Sequence, residues 1–267
     1  MICLENGKEM RTNFPNKFSV NHIALMSSFK RLLILTVFIT LKHFSQGQCP
    51  PGNDSLLIYC IDLKKQNVKF YWKDDTNQTF RNFENLNNWL GKRGQKLVFA
   101  MNGGMFKTDN SPLGLYIESG KTLVSINKAS ASGNFYLKPN GVFYITKGNI
   151  AAVSTTEKFK SGSNIMYATQ SGPMLVIDGK MHPGFKQGSS NVNIRNGVGV
   201  LTNGQVIFAM SKQPINLYDF ANLFLKAGCK NALYLDGFVS RTYLPGQSWQ
   251  QTSGNFGVII AEISSSK

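Results

Sequence analysis

The chain has 267 residues, 42% of them hydrophobic and 16% charged, with a formal net charge of +15. That length builds one domain with a sizeable core and is short for two. The charge favours anionic partners such as phosphate esters and anionic glycans; the basic residues are scattered, with no basic helix or aromatic ladder, which argues against a nucleic-acid reader.

In chain order, residues 1–25 show no clear period and read as an N-terminal extension. From Met26 the pattern changes. Ser27-Ser28-Phe29-Lys30-Arg31 is a basic n-region, Leu32–Leu41 an apolar core of ten residues, and Ser45-Gln46-Gly47 a small-x-small cleavage pattern. Crossing a bilayer takes about 20 apolar residues, so 26–47 reads as a removable signal peptide that leaves no stable membrane span. A short membrane anchor is the alternative. Residues 48–267 are then one exported domain, periplasmic or secreted, with 23 basic and 12 acidic side chains. Its cysteines are Cys49, Cys60 and Cys229. None forms a CxxC pair, which argues against zinc. Export permits a disulfide, and Cys49 and Cys60 are candidates. Cys49 also lies near the cleavage point, which raises lipidation, although Gln48 stands where a lipobox needs a small residue.

Short apolar runs rich in β-branched and aromatic residues predict strands at Leu56–Leu63, Lys69–Trp72, Leu97–Met101, Leu113–Ile117, Gly141–Ile145, Met174–Ile177, Gly197–Leu201, Val206–Met210, Ala232–Leu235 and Phe256–Ala261. Hairpin turns are predicted at Glu118-Ser119-Gly120-Lys121, Thr146-Lys147-Gly148-Asn149, Ile177-Asp178-Gly179-Lys180 and Thr202-Asn203-Gly204-Gln205, each with Gly or Asn for positive φ. Two helices are expected: Asn82–Leu90, stopped by Gly91, and Leu217–Ala227, capped by Asn216 and closed by Gly228. The fold class is α+β (mixed α/β): a β-rich mixed sheet with hairpins and a few flanking helices, in a single domain.

Histidine is scarce. Beyond residue 47 only His182 remains, read as a loop residue, so chemistry falls to carboxylates, amides, hydroxyls and arginine. Four strand-end constellations stand out. Asn102-Gly103-Gly104 ends an apolar strand, where paired glycines can form an N–H nest and Asn102 can both donate and accept. Gln170-Ser171-Gly172-Pro173 holds polar side chains beside a stiff corner. Arg195-Asn196-Gly197 places a guanidinium before a buried strand, where it could grip phosphate through two nitrogens. Asp236-Gly237-Phe238-Val239-Ser240-Arg241 presents a carboxylate at the end of another strand. Each has an ordinary turn or rim contact as its alternative.

In this order and approximate spacing the four segments resemble the phosphodiester glycosidase family over roughly 95–262, and Lys138-Pro139-Asn140-Gly141-Val142-Phe143 resembles its bacterial branch. One departure stands out. Much of the family has Asp-Gly-Gly-Gly-Ser, whereas this chain reads Asp236-Gly237-Phe238-Val239-Ser240, which implies a narrower or more apolar pocket.

The resemblance implies hydrolysis of a sugar phosphodiester at the glycosyl–phosphate bond. Asp236 is then the key carboxylate, Arg195 the phosphate clamp and Asn102 a further catalytic residue. Gly103, Gly104, Gln170, Ser171, Gly172, Asn196, Gly237, Ser240 and Arg241 are expected to bind substrate, a sugar phosphate or glycan. Asp109 and Glu118 are alternative acids. No cofactor is certain; Asp236 and Asn102 could offer oxygen ligands to Ca²⁺ or Mg²⁺. The rival readings are a non-catalytic binder of anionic envelope glycans and a phosphodiesterase that cuts P–O.

Overall fold

A computed structural model describes residues 47–265. The extension over 1–25 and, but for its last residue, the signal peptide predicted over 26–47 lie outside them. The described part is β-rich. Three wholly antiparallel sheets and, among the described residues, two α-helices carry the fold.

The first sheet has the order β1-β12-β11-β13-β9-β10, where β1 is Leu56–Ile61, β9 Met174–Ile177, β10 Lys180–Met181, β11 Asn196–Val200, β12 Val206–Ser211 and β13 Asn231–Asp236. The second runs β15-β14-β3-β16-β2, with β2 Asn67–Tyr71, β3 Gln95–Asn102, β14 Thr242–Leu244, β15 Trp249–Gln250 and β16 Ile259–Ser265. The third runs β5-β4-β8-β6-β7, with β4 Tyr116–Glu118, β5 Lys121–Val124, β6 Gly141–Thr146, β7 Ala151–Thr155 and β8 Ile165–Ser171. All four predicted hairpin turns join paired or successive strands. Asp178 and Gly179, at φ 47° and 78°, supply the two left-handed positions that a tight β9–β10 turn requires.

The sheets share one core. Phe70, Phe99, Phe143, Phe208 and Leu233, drawn from all three, are each at most 1% exposed. Helix α1, Phe83–Gly91, packs Phe83, Leu86 and Leu90 into a second cluster with Phe256 and Ile259. Its Asn82 carboxamide accepts the Asn85 N–H at 2.8 Å, so Asn82 is the N-cap rather than the first helical residue, and Gly91, expected to stop the helix, is its last residue. Helix α2, Leu217–Lys226, covers the other face of the first sheet with Phe220, Ala221 and Phe224 against Leu175 and Ala232. Burying each phenyl ring there stabilises by about 2–3 kcal/mol. Gly228 follows at φ 83° and ends the helix as predicted.

The strands of the three sheets end at one place. β3 delivers Asn102, β13 delivers Asp236 beside Asn196 at the start of β11, and β8 delivers Gln170 and Ser171. The chain crosses from the first sheet to the second through residues 237–241.

Candidate active site

Asp236 is the last residue of β13 and 4% exposed. The β11–β13 register slips just before it: Gly197 faces Tyr234 but Asn196 faces Asp236. This bulge bends the strand end toward the turn that follows. The carboxylate organises that turn. Its Oδ1 accepts the N–H of Phe238 at 2.9 Å and of Val239 at 3.4 Å. The Ser240 hydroxyl lies 2.6 Å from the Asp236 carbonyl and 3.1 Å from that of Ile194, fastening the same turn to the segment that leads into β11.

Gly237 is obligatory here. A Cβ at 237 would lie 1.4 Å from the Tyr234 hydroxyl. The tyrosine oxygen fills the space of the missing side chain.

Asn102 faces Asp236 with its amide orientation fixed by its neighbours. Its Oδ1 accepts both Asn196 Nδ2 and the Arg241 N–H at 2.8 Å. Its Nδ2 therefore points to Asp236 Oδ2, at 3.3 Å. The fully buried Asn196 bridges the two sheets. It also donates to the Asn102 carbonyl at 3.0 Å and accepts the Asp236 N–H at 2.8 Å. Burial pushes the Asp236 carboxyl above the usual carboxylate range, opposed by the N–H groups of Phe238, Val239 and Gly237 and by Asn102. Among the described residues no lysine or arginine forms an ion pair with it.

Asp236 opens onto a cleft of about 410 Å³ whose lining includes Phe106, Lys107, Tyr136, Gly237, Phe238 and Val239. It is the one carboxylate in that lining. Another cleft, about 430 Å³, lies between the β1–β2 and β6–β7 connections, away from these strand ends; Lys64, Lys65 and Lys147 line it and no acid does. The chemistry-bearing groups favour the first.

Several residues singled out from sequence are placed differently from their expected roles. The Arg195 guanidinium is 0% exposed and committed to the protein. Nε donates to the Ile215 carbonyl at 2.7 Å, Nη1 to the Tyr234 hydroxyl at 2.8 Å, and Nη2 to the Asn191 carbonyl at 2.8 Å and Oδ1 at 3.1 Å. Four of its donors are thus held internally, which leaves no two-nitrogen grip for a phosphate. The Gly103-Gly104 nest is also closed. The Gly103 N–H donates to the Val258 carbonyl at 2.7 Å and the Gly104 N–H to Thr169 Oγ1 at 3.2 Å. Both glycines are there for close packing: a Cβ would lie 2.7 Å from Val258 or 2.5 Å from the Gln170 carbonyl.

Gln170 is a strut. Its Oε1 accepts the N–H of Leu115 at 2.9 Å and of Asn127 at 2.8 Å, while Nε2 donates to the Asn127 carbonyl at 2.7 Å and Thr156 Oγ1 at 3.2 Å. Ser171 Oγ donates to the Leu235 carbonyl at 2.8 Å, one residue from the acid, and Gly172 packs on Asn140. Arg241 is half-buried, with Nη1 donating to the Ser240 carbonyl at 3.0 Å.

The alternative acids do not reach the cleft. Asp109 is exposed and turns onto Ser111, and Glu118 binds the Tyr116 hydroxyl. His182 is buried, stacked on Phe185, with ring nitrogens facing the Gly184 N–H and the Lys138 carbonyl. Asn102 and Asp236 do not form a cation site as they stand, because the Asn102 oxygen already takes two donors and its NH₂ faces the acid. Lys107, Tyr136 and Tyr234 were not singled out from sequence.

Fold and site define a β-rich domain in which three sheets converge on one buried strand-end carboxylate. The chain belongs to the phosphodiester glycosidase family, whose profile matches residues 95–259. It is similar to the uncharacterized protein YigE of Escherichia coli (strain K12), with 34% identity over 230 residues, covering 84% of this chain and 89% of that protein. Its fold is similar to the zebrafish N-acetylglucosamine-1-phosphodiester alpha-N-acetylglucosaminidase catalytic domain auto-inhibited by its pro-peptide. That likeness has a TM-score of 0.54 at 15% identity and covers 81% of this chain and 86% of the other.

Proposed function

We propose that the protein is an exported hydrolase that cleaves the glycosyl–phosphate bond of a sugar phosphodiester, with Asp236 as its working carboxylate. The observation that carries this reading is a single acid in the cleft, buried and aimed by the Phe238 and Val239 N–H groups and by Asn102, in a chain of this family.

The C1–O bond breaks with its electron pair leaving on the phosphate oxygen. Water supplies hydroxide to C1 and the remaining proton, giving free sugar and a phosphomonoester. As the bond lengthens, C1 gains oxocarbenium character, and an adjacent carboxylate stabilises it or attacks it. A phosphate leaves readily, so one carboxylate suffices where ordinary glycosides call on two. Asn102 holds the carboxylate in place, and Asn196 holds Asn102. Arg195 is a positioning residue. It ties Asn191 and Ile215 to Tyr234, two residues before the acid. Lys107 on the cleft lining and half-buried Arg241 are the cations left to meet the phosphate.

Export rests on the signal-like pattern over 26–47. The bond between Cys49 and Cys60 suits an oxidising compartment and supports a secreted or periplasmic protein over one anchored by a lipid at Cys49. Because the zebrafish neighbour is named for N-acetylglucosamine, that sugar is the first to try. Purified protein is incubated with UDP-N-acetylglucosamine and with a synthetic N-acetylglucosamine phosphodiester in H₂¹⁸O. Free sugar carrying the label supports the assignment. Label in phosphate instead means P–O cleavage, and saturable binding with no product means a glycan binder.

A further inference from the structure

Phe238 is 96% exposed, the most exposed large hydrophobic among the described residues. It is not on a loose loop. Its own N–H is held by the Asp236 carboxylate at 2.9 Å, and the next residue, Val239, packs against the α1-side core. The ring is therefore presented two residues from the acid, in a turn whose shape the acid sets. The rest of the cleft is rich in carbon, with Met105, Phe106, Leu113 and Phe135 in its lining, and it carries an exposed cation in Lys107.

Thr108, Ser132, Asn134 and Tyr136 give the cleft a polar side that can meet sugar hydroxyls, whereas its carbon-rich part, with Phe238, would take their water and return no partners, which is costly. An alkyl or aryl chain would lose nothing polar and would gain the cover of Phe238. A phosphate between sugar and chain would lie near Lys107. Charge and polarity thus match a molecule with an anionic centre and an apolar tail.

We propose that Phe238 is the specificity-determining residue of an aglycone subsite, and that the preferred substrate is a sugar phosphodiester whose other ester group is an apolar chain. This rests on the hydrolase reading above and names its substrate class. The chain stays on the phosphate throughout and departs as an alkyl phosphate, so no co-reactant beyond water is needed.

The test compares an octyl and a methyl phosphodiester of the same sugar on the wild type, Phe238→Gly and Phe238→Leu. The wild type is expected to favour the octyl ester in kcat/KM by about tenfold to a hundredfold, on the scale of a filled apolar subsite. Phe238→Gly is expected to reduce that ratio by about tenfold, largely through KM, while Phe238→Leu retains much of it. A wild-type ratio near one, or a Phe238→Gly variant that leaves the ratio intact, overturns the proposal. Turnover of neither ester by the wild type would sink the hydrolase reading alone. Calorimetric binding of the same two esters then decides the subsite: octyl-over-methyl preference lost in Phe238→Gly supports it, and equal affinities overturn it.

Discussion

Replacing Asp236 by Asn tests the reaction and the electrostatics together. The substitution keeps shape. The Asn oxygen still accepts from the Phe238 and Val239 N–H groups, so the turn persists. The other position changes sign, from an acceptor 3.3 Å from Asn102 Nδ2 to a second NH₂ group. Asn102 cannot rotate in compensation, because its oxygen is held by Asn196 and Arg241. Two donors then face each other, a loss of about 1–3 kcal/mol. Against it stands relief from burying a charge. The folded-state pKa of Asp236 is raised by burial, so the folded protein holds that proton more tightly than the unfolded chain. Wild-type stability must then fall as pH rises from the ordinary carboxylate value through the raised one. The variant has no such slope. Melting curves should show Asp236→Asn less stable than wild type at the acid end, with the gap closing or reversing toward neutral pH. In sugar-release assays kcat should drop about 10³-fold or more, roughly 4 kcal/mol of transition-state stabilisation. Turnover within tenfold of wild type, or a melting difference indifferent to pH, would refute this account of Asp236.

The other sites give sharper structural outcomes. Gly237→Ala puts a Cβ at 1.4 Å from the Tyr234 hydroxyl; a loss of about 3 kcal/mol or more is expected, seen as a melting point lower by roughly 6–12 °C, and a native melting point would mean the turn is loose. Arg195→Ala strands the Ile215 and Asn191 carbonyls and should lower the melting point, whereas a raised KM with unchanged melting would restore the phosphate clamp read from sequence. Gln170→Ala should speed hydrogen exchange at the Leu115 and Asn127 amides by about tenfold or more; unchanged protection there would show that Gln170 is not a strut.

The sequence exposed those elements whose signal is local. The capped helices and the hairpin turns need only side chains within a few residues of one another, and they form where expected. Strand β7, Ala-Ala-Val-Ser-Thr, gives little signal because small and hydroxylated residues carry little apolar pattern. Strand β8 hid for a different reason. Its last residues, Thr169, Gln170 and Ser171, are polar yet buried, since their partners Gly104, Leu115 and Leu235 are distant in sequence. Leu113–Leu115 looks like strand but bends away, because Gly114 packs onto the Gln170 side chain. At the site, residue choice was legible and residue function only partly so. Asn102 and Asp236 do meet. Arg195 reads as a free cation until the carbonyls of Asn191 and Ile215 are seen around it, and those lie on segments no spacing rule connects. The β-rich character and the hairpins are legible, but a mixed sheet is the expectation and three antiparallel sheets are found. Pairing between distant strands is not written in any one strand.

The turn after β13 has a closed position beside an open one. At 237 the Tyr234 hydroxyl admits nothing but hydrogen; at 238 the side chain stands in solvent and no neighbour constrains its size. Variation along this turn is therefore channelled. A lineage can change residue 238 from glycine to phenylalanine in small steps without unsettling the acid, because the acid grips the backbone N–H, which every residue except proline retains. Substrate range can drift while the reaction stays fixed, and proline at 238 is the substitution that should break that independence.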